Sequence, residues 1–290
     1  MKKISLLFVT LALCVYSCSN VPITGRRQLM LVSDEEVLSL SLNEYNEYIK
    51  SAKKSTDQTA TALVVKVGRK IADAVESYYK SNGMEAMLKD YSWEFNLIED
   101  ANINAFCMPG GKIVVYTGIL PVTKDEAGLA VVLSHEVAHA VAKHANERMS
   151  QQILAQYGEA GLTALLGGAS DKTKQVGQTI FGLGAQYAVM LPFNRKQELE
   201  ADHLGLILMA IAGYNPDAAV PFWQRMSQSG GAAVPEWMST HPSDATRITD
   251  IQKALPEAKQ VYDALWGNNK TTTPSNTSKP ASNAKEQWRF

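Results

Sequence analysis

The sequence predicts an α+β fold, mainly helical, with a small antiparallel sheet or hairpin set beside one buried helix. Three observations carry this. Apolar residues recur at helical spacing over most of the chain, as in "TALVVKVGRKIADAVESYYKS". The period changes once, to alternation through Trp93, Phe95 and Leu97 in "YSWEFNLIED". Directly after, "NINAFCMPGGKIVVYTGIL" reads as strand, Pro-Gly-Gly turn and strand, the signal of a hairpin.

The elements follow in order. "MKKISLLFVTLALCVYSCSN" has two lysines, then an apolar run too short and wrongly flanked for a membrane span, so residues 1–17 read as a signal peptide. Residues 18–32 are an irregular lead-in. Ser33 with Glu36 forms a capping box that opens a helix. The second helix, the strand and the hairpin come next. Thr123 with Glu126 is a further capping box, and it starts a helix through the mid-140s. From Gln151 to Pro192 the chain is apolar and glycine-rich, which suits a helical hairpin or lid. The uncharged run Gln175–Leu191 is the best stretch for membrane contact, although its glutamines and glycines disfavour a span. "NRKQELEADHLGLILMAIAGY", "NPDAAVPFWQRM" and "STHPSDATRITDIQKAL" are helical. Residues 33–266 thus form one domain, and 267–290 are a disordered tail of Asn, Thr, Ser, Pro and Lys.

Charge and cysteine content exclude some functions. A net charge of −1 leaves no basic face for nucleic acid. Cys107, in an apolar strand-like segment with no Cys-His motif around it, reads as inert core.

The chemistry centres on "VVLSHEVAHAVAKH", Val131 to His144. On a helix, residues i and i+4 share a face, so His135 and His139 can aim two imidazole nitrogens at one point. Glu136, one step round, can reach a water there, which is the His-Glu-x-x-His arrangement of zinc hydrolases. The rival reading is a buried helix that happens to carry imidazoles. A catalytic zinc needs a third protein ligand and an open position. Ala142 and Ala145 stand where a metzincin has glycine and histidine, so that class is excluded. His144 reads as a helix C-terminal cation or a surface residue. The third ligand then comes from another helix. In "QELEADHLG", Glu198 and Asp202 share a face, whereas Glu200 lies about 200° round and points elsewhere. Glu198 is the ligand of choice, with Asp202 behind it as acceptor for a ligand imidazole's N–H.

Together these segments resemble peptidase family M48, the HtpX and CAAX-prenyl-protease family of zinc metallopeptidases, and within it the periplasmic lipoprotein members such as LoiP and BepA. The resemblance rests on His135-Glu136-Val137-Ala138-His139, on Glu198-Leu199-Glu200-Ala201-Asp202, and on "VPITGRRQL", "NAFCMPGGKIVVYTGIL", "GYNPDAAVPFWQRM" and "THPSDATRI". It spans roughly Asn20 to Gln260 and implies a zincin-like, gluzincin-type domain with one Zn²⁺ per chain. It implies that His241 lies near the metal, able to take the open position or to help bind the transition state, and that Arg247 helps stabilise the oxyanion. It implies an extended substrate beside Asn104, Ala105 and Phe106, paired main chain to main chain. "VYSC" resembles a lipobox with Cys18 as the lipidated residue, and Ser19 after it favours the outer membrane. The expectation is therefore a lipid-anchored, periplasmic endopeptidase of the bacterial cell envelope. It would act on unfolded or misassembled proteins and have envelope assembly machinery among its partners. A lipid-anchored chaperone that keeps the fold without cleaving is the alternative. No helical-repeat extension follows the domain, which puts repeat-mediated docking in doubt. His203 matches no role in the family and reads as structural.

Overall fold

The computed structural model describes residues 18–165, 194–229, 236–241 and 246–267. The expected signal peptide, the run Gln175–Leu191 and nearly all of the tail lie outside the described residues.

The lead-in is more ordered than its sequence predicts. It forms a two-stranded antiparallel ribbon, β1 (Cys18–Asn20) with β2 (Arg27–Leu29). Helix α1 (Asp34–Ser51) starts where expected but with only half of the capping box: the Ser33 hydroxyl accepts from the Glu36 N–H at 3.2 Å, while Glu36 Oε1 has no hydrogen-bond partner among the described residues. Helix α2 (Gln58–Ser81) buries Val64, Val67, Ile71 and Val75 along one stripe.

Three strands follow: β3 (Glu94–Ile98), β4 (Ala105–Met108) and β5 (Lys112–Tyr116). The hairpin is present: β4 pairs antiparallel with β5, and Gly110 and Gly111 turn the chain at φ +84° and +81°, where other residues are strained. The sheet is nevertheless mixed, because β3 pairs parallel with β5. After β3 the chain crosses to the far side before β4, so β5 returns into the middle and runs beside β3 in the same direction. β4 is left at an edge.

Helix α4 (Glu126–Val141), which follows the short helix α3 (Leu120–Thr123), is buried continuously from Gly128 to Val141. A helix apolar all round belongs in the middle of a core, and α4 packs against α2, the sheet and the later helix α6. Its cap differs from the expectation. Asp125 accepts from the Gly128 N–H at 2.8 Å, while the Thr123 hydroxyl bonds back to the Leu120 carbonyl. The cause is Lys124 at φ +65°, which turns the chain between Thr123 and the helix. Nor does α4 reach the mid-140s. Lys143 at φ +58° breaks it, and α5 (His144–Leu165) sets off afresh.

Helix α6 (Arg195–Ile211) opens with a capping box between Asn194 and Gln197. It lies so close to α4 that a Cβ on Gly205 would sit 3.1 Å from the His135 nitrogen, which explains the glycine in "LGLIL". Helices α7 (Ala219–Gln228), α8 (Glu236–Thr240) and α9 (Arg247–Trp266) close the core. Among the described residues no helix is long and apolar enough to cross a membrane.

Candidate metal centre

α4 presents His135 and His139 one turn apart, the first turn of α6 brings in Glu198, and His241 follows directly on α8. Their donor atoms lie within 4.8 Å of one another, and all four residues are buried. His139 Nε2 is 3.1 Å from His135 Nε2 and 3.3 Å from Glu198 Oε1. His241 Nδ1 is 3.3 Å from His135 Nε2 and 3.0 Å from Glu198 Oε1. A tetrahedral site with bonds of about 2.0–2.1 Å has edges of about 3.3–3.4 Å, and these four separations are close to that. Glu198 Oε2 comes within 2.9 Å of Arg247 Nη1 as an ion pair, yet neither atom has a hydrogen bond of good alignment. The donor set therefore fits a divalent ion, with His241 at the corner a catalytic site keeps for water or substrate.

The protonation states suit a ligand set. Burial holds the His139 imidazole well below its usual range, against the opposing pull of Glu198, so it is neutral. Burial alone would raise the Glu198 carboxyl, but His241 and His139 outweigh it and keep it ionised. His241 runs the other way. Burial lowers it, and the negative charges of Glu136 and Glu198 more than offset this, leaving it raised. Neutral imidazole and ionised carboxylate are the forms that bind metal.

Asp202 sits behind His135, with Oδ1 3.0 Å from Nδ1, as its position on the Glu198 face predicts. Arg247 grips Asp202 through Nε and Nη2 at 2.9 and 2.8 Å and lies flat on Trp223, 3.4 Å above the ring. Its contacts thus brace both Glu198, a donor carboxylate, and Asp202, the carboxylate behind His135. Glu136 accepts from Trp237 Nε1 at 2.6 Å and stands 3.4 Å from His241 Nε2. Among the described residues β4 is an edge strand of the sheet. Ala105 and Phe106 are in β4, Asn104 precedes it, and the Trp237 N–H bonds the Ile103 carbonyl at its start. A cleft of about 340 Å³ borders His139, Cys107, Met87 and Leu38. Burial pushes the Cys107 thiol well up, which suits the inert role expected of it. His203 pairs with Glu257 at 2.7 Å, away from the donors.

One expectation fails here. His144 is completely buried, with Nδ1 2.8 Å from His139 Nδ1 and Nε2 2.9 Å from Glu200 Oε2. The break at Lys143 swings it back onto His139, and a five-residue spacing on an unbroken helix could not reveal that. Glu200 does point away from the donors, but into the protein. It is 7% exposed and bonded to His144, Thr24 and Arg26. Trp237 was also missed, because no spacing connects it to Glu136.

A buried helix carrying two imidazoles and a glutamate, with a carboxylate contributed by a second helix, defines a metallopeptidase domain of the His-Glu-x-x-His class. The chain belongs to peptidase family M48, whose pattern matches residues 67–255. It is 40% identical over 187 residues to "Mitochondrial metalloendopeptidase OMA1" of Schizosaccharomyces pombe, covering 62% of this chain and 53% of that one. To the protein of the same name in Saccharomyces cerevisiae it is 30% identical over 278 residues, 90% of this chain and 76% of the relative. It is 30% identical over 172 residues to the "Beta-barrel assembly-enhancing protease" of Yersinia pestis, 58% of this chain and 35% of that one. The chain therefore spans about half the length of the fission-yeast relative and about a third of the Yersinia one.

The OMA1 relatives are mitochondrial by name, and this overturns the expected location as a periplasmic lipoprotein of a bacterial outer membrane. The expectation leaned on a short charged and apolar leader with a Ser-Cys pair. Such a pattern carries far less information than a match along the catalytic domain. The backbone of Cys18 pairs with Leu29, and its side chain is outside the described residues.

Proposed function

We propose that this chain is a zinc-dependent endopeptidase that hydrolyses extended segments of unfolded or misassembled proteins. The observation that carries the reading is the set of four buried donors within 4.8 Å of one another, with Glu136 beside His241. His135, His139 and Glu198 would hold the ion, and two imidazoles with a carboxylate suit zinc. When bound, zinc supplies Lewis acidity, making a water acidic and polarising the scissile carbonyl. His241, beside Glu136 and the assigned ligands, would face the developing oxyanion. Glu136 accepts the proton of the attacking water and hands it to the leaving amine. Trp237 orients that carboxylate through its indole N–H. Arg247 adds positive charge beside Glu198 and supports the oxyanion from behind the ligands. The substrate runs beside Asn104 and the β4 residues Ala105 and Phe106, where backbone pairing reads extended chain more than sequence.

Glu136→Gln is the test. The amide is nearly isosteric and leaves the three ligands in place, so zinc content stays at wild-type level. Casein cleavage falls about 10²–10⁴-fold, the usual weight of a general base. Cleavage near the wild-type rate removes Glu136 from that role, and a non-cleaving chaperone would show no chelator-sensitive cleavage at all.

A further inference from the structure

We propose that His144, Glu200 and Arg26 form a relay that positions His139 for the metal, and that the N-terminal lead-in is thereby part of the metal centre. This rests on the zinc reading above. The geometry fixes the direction of every hydrogen bond. Glu200 is a carboxylate and can only accept, so His144 Nε2–H donates to Oε2 across 2.9 Å. A neutral His144 then has a bare Nδ1, which accepts from His139 Nδ1–H across 2.8 Å. His139 is left with its lone pair on Nε2, the nitrogen that faces Glu198 and His135. Metal-binding histidines commonly donate their other N–H to a carboxylate, which sets tautomer and orientation. Here an imidazole stands between the two.

The carboxylate end is anchored from outside the catalytic helices. Thr24 donates its hydroxyl to Glu200 Oε1, and Arg26 Nε donates to Oε2 at 2.7 Å. Arg26 also forks onto Glu147 through Nη1 and Nη2, both at 2.8 Å, and Gln197 Nε2 donates to the same carboxylate. Thr24 and Arg26 sit in the turn of the β1–β2 ribbon, well before the 67–255 family match. Nothing in the His-Glu-x-x-His motif calls for them.

The test measures zinc affinity of the full chain by competition with a chromophoric chelator, and the visible absorption of the cobalt-loaded protein, with circular dichroism as the fold check. His144→Leu lowers zinc affinity about 10–100-fold and shifts the cobalt bands. His144→Gln, whose amide can accept from His139 and donate to Glu200, recovers most of that loss. Arg26→Ala, two residues further from the ligands than His144, moves both readouts the same way by a smaller factor, and it replaces His144→Leu as the deciding variant if the latter does not fold. Unchanged affinity and bands in the deciding variant overturn the relay. Equal losses in His144→Leu and His144→Gln also overturn it, since they mark packing alone. A wild-type chain that binds no zinc overturns the metal reading itself, and so separates that failure from a failure of the relay.

Discussion

Behind His135 stands a carboxylate in direct contact, and behind His139 one that acts only through another imidazole. Asp202 touches His135, and Asp202 is itself held by Arg247 lying on Trp223, so this brace is built from α4, α6, α7 and α9. The His139 brace runs through His144 to Glu200 and ends on Thr24 and Arg26, some 175 positions away in the chain. The first brace is enclosed, whereas the second opens toward solvent at Arg26, whose side chain is 26% exposed. One site can thus combine a rigid ligand, fixed by helix packing, with a ligand whose support depends on a peripheral segment.

The sharpest way to break the comparison is to remove the ligand both sides share. Glu198→Ala leaves only two of the three assigned ligands, with His241 at the exchangeable position, so elemental analysis after dialysis finds most of the zinc gone. Glu200→Ala keeps zinc in the same assay at saturating metal. The reverse result would mean that the helix register, and both braces with it, are misassigned.

Stability separates the two braces next. Asp202→Ala strands the buried Arg247 guanidinium, and losing one partner of a fully buried pair costs about 3–5 kcal/mol. Glu200→Ala strands His144 and Arg26, but Arg26 keeps access to water, so the expected cost is smaller, about 2–3 kcal/mol. An exposed Glu200 would have cost only about 0–1 kcal/mol. Urea unfolding of the metal-free variants decides, and equal midpoints for Glu200→Ala and wild type would place that residue at the surface.

The smallest effect is on pH. In the metal-free protein His139 and His144 are both held below their ordinary value of 6.5 by burial. Below that pH the unfolded chain takes up their protons and the folded chain does not, so stability falls with pH. His241 is raised, and its contribution is present below its unfolded value and lost as pH climbs through the folded one. Two lowered groups against one raised group make stability decline from pH 7 toward pH 5. Denaturation midpoints in chelator that stay flat or rise on acidification contradict this.

Local pattern carried much of the site. His135, Glu136 and His139 follow from helical spacing, and Glu198 with Asp202 from the same rule applied to a second helix. Ser33 and the glycine turn behave as their chemistry dictates. These features were legible because each depends on neighbours within about one turn of helix or one tight turn.

What the sequence determined by itself is therefore the two metal-facing helix surfaces, the hairpin and the mainly helical class. Tertiary structure alone decided the parallel pairing of β3 with β5, the Trp237 contact with Glu136, and the burial of His144 and Glu200. A polar run such as His144-Ala145-Asn146-Glu147-Arg148 reads as a solvated face, yet all of it but Ala145 is buried. The reason is that burial of a charged residue depends on a partner to offset its desolvation. Glu200's partners, Thr24 and Arg26, are brought to it only when the chain closes on itself.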